Sequence, residues 1–124
     1  MRKEERIGKE MVVNAVIENM LEKKEPEEIK TPFIDKYKSP SGLKIKSTNE
    51  TFVPDITAKF GESSNLYEVE LDDDFQVNKW KLFSIHAKKK NGNLYLIVPD
   101  WLRESVKKEL TDQNISAGII YFNT

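Results

Sequence analysis

The chain has 124 residues, 20 Lys plus Arg, 21 Asp plus Glu and a formal net charge of −1, so it has room for one core and no overall positive field to attract nucleic acid. Hydrophobic residues make up 38% and charged residues 33%, and the apolar ones fall in periodic runs, which excludes a disordered chain. The lack of cysteine rules out disulfides, thiolate catalysis and cysteine-ligated zinc, and a single histidine, His86, rules out a histidine chelate.

The first predicted element is a helix over residues 3–24. Val13, Val16, Ile17, Met20 and Leu21 recur at helical spacing on one stripe, and Pro26 ends it. Asn14 and Glu18 interrupt the apolar run, so it does not read as a signal peptide. No stretch approaches the roughly 18 apolar residues of a membrane span, and the expectation is a cytoplasmic protein without membrane contact. Residues 25–42, with Pro26, Pro32 and Pro40, read as an irregular connection.

From Gly42 the period changes to two. "LKIKS", "TFVPDITAKF" and "NLYEVEL" alternate and predict a three-stranded antiparallel meander, with "GESS" as the turn between the last two. A helix over 75–90 follows, with Trp80, Phe83 and Ala87 on its buried stripe. "LYLIV" is continuous enough for a strand buried on both faces, in the middle of the sheet. Asp100 caps a short helix through about residue 110, and "AGIIYF" gives the last strand.

Setting Phe60 opposite Asn65 places Asp55 across from Glu70 and Thr57 across from Glu68. Residues of like parity share a face, so Asp55, Glu68 and Glu70 converge on one side of the sheet, and a two-residue slip only exchanges which glutamate faces Asp55. Ile56, Ala58, Phe60, Tyr67, Val69 and Leu71 form an apolar opposite face. Like charges across a ladder repel, so the carboxylates call for a cation or for an open, solvated face. Magnesium, which takes one or two carboxylates with water and phosphate oxygens, suits such a set. Asp72, Asp73 and Asp74 read as a strand end and helix N-cap.

"VPDI" at 53–56, "YEVEL" at 67–71 and the helix and strand of "KWKLFSIHAKKKNGNLYLIVP" together resemble the PD-(D/E)xK nuclease superfamily, the restriction-endonuclease-like fold. The resemblance spans residues 4–98. It implies an α/β, three-layer αβββαβ core with a mixed central sheet, here followed by an extra helix and strand in a single domain over 1–124. It also implies phosphodiester hydrolysis of nucleic acid with Mg2+ or Mn2+. By it, Pro54 and Asp55 match the PD motif and Glu68 its acid, while Glu70 stands where the family has lysine. The implied catalytic residues are Asp55, Glu68 and Glu70, and the implied metal ligands are Asp55 and Glu68, joined by Glu10 from the first helix.

Substitute cations for the missing lysine are Lys59, Lys79 and Lys81, although Lys59 lies about 13 Å along its strand from Asp55. Lys79, Lys88, Lys89 and Lys90 are the candidate phosphate contacts. The alternative is a non-catalytic module of the same fold that binds nucleic acid or a protein partner. A nuclease this short is expected to gain its hold on nucleic acid through a homodimer or a partner.

Overall fold

The structure is a computed structural model that describes the backbone of residues 3–23 and 25–124 and the side chains of 8–23 and 25–124. Its elements are α1 (Lys3–Lys23), β1 (Glu28–Lys30), β2 (Leu43–Lys44), β3 (Thr51–Phe52), β4 (Ile56–Phe60), β5 (Ser63–Val69), α2 (Val77–Lys89), β6 (Leu94–Pro99), a 3-10 turn (Asp100–Leu102), α3 (Arg103–Asp112) and β7 (Gly118–Phe122). The expected end of the first helix, Lys24, lies outside the described residues. The main sheet is mixed and five-stranded, in the order β1-β4-β5-β6-β7. β1, β4 and β5 run antiparallel, and β6 and β7 continue parallel to β5. Among the described residues no helix is long and apolar enough to cross a membrane.

Parity divides the sheet between two cores. On one face Val13, Ile17 and Met20 of α1 pack against Ile29, Ile56, Ala58, Tyr67, Val69 and Ile97. On the other, Trp80, Phe83 and Ala87 of α2 and Val106 and Leu110 of α3 pack against Leu66, Leu94, Leu96 and Val98. Trp80 and Phe83 are fully buried, and burying a large apolar side chain contributes about 2 to 3 kcal/mol. The α1 stripe is narrower than its spacing predicts, because Leu21 is 43% exposed.

Two strand expectations change. The meander's first strand is β1, drawn from the proline-rich connection, with Ile29 facing Ala58. "LKIKS" instead forms a small separate sheet, β2 with β3, and its Leu43 and Phe52 pack on the α2 side. The segment "TFVPDITAKF" breaks around Pro54, which has no N–H to give a ladder. β6 is interior, as its apolar run requires, but β5 is the central strand.

The β4–β5 loop is shorter than "GESS". Phe60 pairs with Ser63, leaving Gly61 and Glu62 as the loop, and Gly61 at φ 63° meets the need of a type II′ hairpin for positive φ at its first loop position. The register is therefore shifted by two residues from the expected one, with Ile56 opposite Tyr67. Parity is preserved, so every side chain keeps its face.

At this same end of β5, Gly92 closes α2 against the sheet. Its N–H donates to Ala87 O (2.8 Å), Ser64 N–H donates to Lys90 O (3.0 Å) and Leu66 N–H donates to Asn93 O (3.0 Å). A β-carbon on Gly92 would lie 1.8 Å from Ser64 O, whereas one on Gly61 meets nothing within 4 Å. Gly92→Ala is expected to destabilise the fold by about 3 kcal/mol through backbone displacement, against about 1 kcal/mol for the left-handed strain of Gly61→Ala. Urea unfolding of both variants checks this; equal losses would mean that the Gly92 approach relaxes at little cost.

Candidate active site

Backbone pairing of β4 with β5 stops at Ile56 and Tyr67, and just beyond it two carboxylates take over the ladder's donors. Asp55 N–H donates to Glu68 Oε1 (2.8 Å), and Val69 N–H donates to Asp55 Oδ2 (2.9 Å). The Thr31 hydroxyl, just past β1, donates to Asp55 O (2.7 Å). The strand ends are thus joined through side chains, which accounts for backbone N–H groups that would otherwise be buried and unpaired. Glu70, next on the same face, keeps its own N–H on Ile97 O of β6 (3.0 Å).

Asp55, Glu68 and Glu70 come together as their parity predicts, but in the interior. Glu68 is 1% exposed, and Asp55 and Glu70 are also buried, so an open, solvated sheet face is excluded. The reason is α2, whose buried stripe covers this side and contributes two polar groups. Lys79 Nζ lies 2.8 Å from Glu68 Oε2 and 3.4 Å from Glu70 Oε1, and Trp80 Nε1–H donates to Glu70 Oε1 (3.2 Å). From the opposite layer, Lys9 Nζ of α1 donates to Asp55 Oδ2 (3.1 Å). Three carboxylates thus face two ammonium groups.

That imbalance sets the protonation. Burial first, and the Asp55 carboxylate second, push the Glu68 carboxyl up to about 8, against the pull of Lys79 and Lys9. Burial works to lower the pKa of Lys79, but Glu68 and Glu70 together outweigh it and hold the amine above its ordinary value. Lys79 is therefore a fixed positive charge rather than a base.

The other expected residues lie elsewhere. Glu10 is exposed, since its neighbour Lys9 takes the inward direction and successive helical residues diverge by about 100°. Lys59 and Lys81 are exposed and, among the described residues, form no ion pair with the cluster. Lys88, Lys89 and Lys90 are exposed at the far end of α2, roughly 14 to 16 Å from Lys79 at 1.5 Å per residue, and the buried Lys79 is not available as a surface phosphate contact. Asp72, Asp73 and Asp74 do not cap α2: Asp74 N–H donates to Asp72 Oδ1 (2.9 Å), and the N-cap is Gln76, without a side-chain bond. His86 and Ser84 are not partners, because the Ser84 hydroxyl donates to Ser116 O (2.6 Å).

Lys9 is the residue that sequence reasoning missed. Its signal was present, because Lys9 precedes Val13 by one helical turn as closely as Glu10 does, but an acidic residue was sought there. As a metal site, the cluster offers only hard oxygen donors. Among the described residues no group of three or more Asp, Glu or His side chains forms a ready cage. No hydrogen bond from the described residues reaches Asp55 Oδ1 or Glu70 Oε2. The set fits the one-or-two-carboxylate coordination that magnesium completes with water and phosphate, and it does not fit an all-protein cage.

Two stability tests follow. In metal-free buffer the folded chain holds a proton on Glu68 that the unfolded chain has already lost, over the window from the ordinary value of 4.5 to about 8. The folded state binds more protons there, so stability falls as pH rises through the window. Glu68→Gln is expected to flatten this decline in urea melts at about pH 5 and about pH 8, and an unchanged slope would place the titration elsewhere. Above about pH 8, where Glu68 is ionised, Lys79→Met leaves that carboxylate buried without its ammonium partner and is expected to cost about 3 to 5 kcal/mol. Adding Glu68→Gln should recover much of that; a purely additive double variant would mean that the pair is not coupled. Compared with known proteins, the chain matches no family model, no curated protein and no solved structure.

Proposed function

We propose that this chain is a metal-dependent phosphodiesterase of the PD-(D/E)xK type acting on nucleic acid, with the motif lysine supplied by helix α2. The single observation that carries the reading is Lys79 Nζ at 2.8 Å from Glu68 Oε2 and 3.4 Å from Glu70 Oε1. The glutamate at position 70 removed a positive charge from the strand motif, and Lys79 puts one back against the same two residues. The connectivity supports the assignment: with the small β2–β3 sheet inserted between β1 and β4, α1, three antiparallel strands, α2 and a strand parallel to the third come in the order of the restriction-endonuclease-like core.

Asp55 and Glu68 would hold a magnesium or manganese ion. When bound, such an ion stabilises charge on the phosphate and makes a bound water more acidic. The chain's own groups do the rest. Lys79 is held charged and, buried against Glu68 and Glu70, would add its positive field to the site without touching the phosphate itself. Glu70 positions Lys79 and is itself fixed by the Trp80 indole. Lys9 sets an opposite charge 3.1 Å from Asp55 Oδ2 and ties α1 to the site.

A second reading has its own support. Asp55 and Glu68 already each engage a lysine and a backbone N–H, as they would in a non-catalytic module of this fold whose cluster serves only to join α1, the sheet and α2. Calorimetric titration with magnesium and manganese, followed by cleavage assays on labelled DNA and RNA, separates the two. The expected result is binding that is lost in Asp55→Asn, and cleavage reduced by at least about 100-fold in Asp55→Asn and in Lys79→Met, read at a temperature where circular dichroism shows each variant folded. Neither binding nor cleavage by the wild type, with either metal and either nucleic acid, would leave the binding module as the function.

A further inference from the structure

The outer side of α2 carries a second feature, separate from the cluster. Lys81, Ile85 and Lys88 follow at intervals that stack them along one side of the helix. They face Lys107 and Thr111 of α3 and, beyond that helix, Asn114 at φ 54°. Between the two walls runs a groove of about 740 Å³. Its lining includes Lys81, Lys88 and Lys107 and no Asp or Glu, in a chain whose net charge is −1. Acidic side chains are abundant in this protein, and this surface leaves them out.

The state of the lysines points the same way. Lys108, adjacent to Lys107 but outside the lining, is ion-paired with Asp112. Lys81, Lys88 and Lys107 make no ion pair among the described residues. Uncompensated like charges around one concavity repel each other, and an anionic occupant removes that repulsion. The seven positions from Lys81 to Lys88 correspond to about 10.5 Å of helix, roughly three steps of a nucleic-acid strand at 3.4 Å each. Ile85, 57% exposed between them, offers apolar contact to a sugar or base edge.

We propose that this groove binds the phosphate backbone of a nucleic acid, with Lys81 and Lys88 on one wall and Lys107 on the other. The phosphates are held as point charges, so the contact gives affinity and salt dependence rather than sequence preference. Two residues past Lys79, Lys81 starts the groove in the same region of α2 that anchors the cluster, on a different side of the helix axis. In choosing nucleic acid as the anion the proposal draws on the phosphodiesterase reading, but binding does not require hydrolysis.

The test is fluorescence anisotropy of a labelled oligonucleotide, as a single strand and as a duplex, in EDTA across a salt series. The groove variant carries Lys81→Gln, Lys88→Gln and Lys107→Gln. A control of equal charge carries Lys23→Gln, Lys44→Gln and Lys46→Gln, at exposed positions away from the groove. For the form of nucleic acid that binds, the groove variant is expected to bind at least about tenfold more weakly at low salt and to lose about 2 to 3 from the slope of log K against log salt, with little change in the control. Equal loss in both variants, or no binding of either form by the wild type, would overturn the proposal. Binding that depends on the groove without any cleavage in magnesium would retain the groove and reject the phosphodiesterase; cleavage with groove-independent binding would do the reverse.

Discussion

Three carboxylates and two ammonium groups lie together inside this protein, and removing that many charges from water is the most demanding constraint the fold has to satisfy. Each ion loses several kcal/mol of hydration on burial and is compensated only when its partners are closely placed. The partners come from four elements: Asp55 just ahead of β4, Glu68 in β5, Lys79 and Trp80 in α2, and Lys9 in α1. None of these elements can shift without stranding a charge. The cluster therefore determines how both helical layers sit on the sheet, in a way that the apolar contacts alone, which tolerate sliding, do not.

The two layers divide the task. The α1 side supplies one lysine to one aspartate, at the edge where the strand ends separate. The α2 side supplies a lysine shared by two glutamates, backed by an indole N–H on the second. The shared ammonium is the less replaceable of the two. If a bound ion or a phosphate drew Glu68 away, Glu70 would still retain Lys79, so the positive charge stays in place when its main partner is occupied.

Alternation in "TFVPDITAKF" and "NLYEVEL" is enough to place Asp55, Glu68 and Glu70 on one side of a hairpin, and it does so whichever of two registers the turn selects. The actual register depends on Ser63 and Ser64, which look like turn residues but extend the strand, while Gly61 and Glu62 alone make the loop. β1 could not be read because three residues between prolines are too few to show a period. Burial of the carboxylates was hidden for a different reason. Local polarity predicts solvent, and only the tertiary arrival of Lys79 and Lys9 reverses that preference. In a helix that also carries exposed Lys81, Lys88 and Lys89, nothing local singles out Lys79; its distinction is that it shares the inward stripe with Trp80 and Phe83.

Helix α2 is fastened at both ends: near its start Lys79 reaches the glutamates, and past its end Gly92 lies so close to Ser64 that a side chain has no room. A helix tied at two points has a fixed phase. Inserting or deleting one residue between the ties would rotate one relative to the other by about 100° and displace it by about 1.5 Å along the axis, turning either the ammonium or the glycine away from its seat. Point changes on the outer side of α2 leave that phase untouched. The length of α2 should thus be far less free to drift than its exposed sequence, so that the number of residues between the two fastenings carries information that their identities do not.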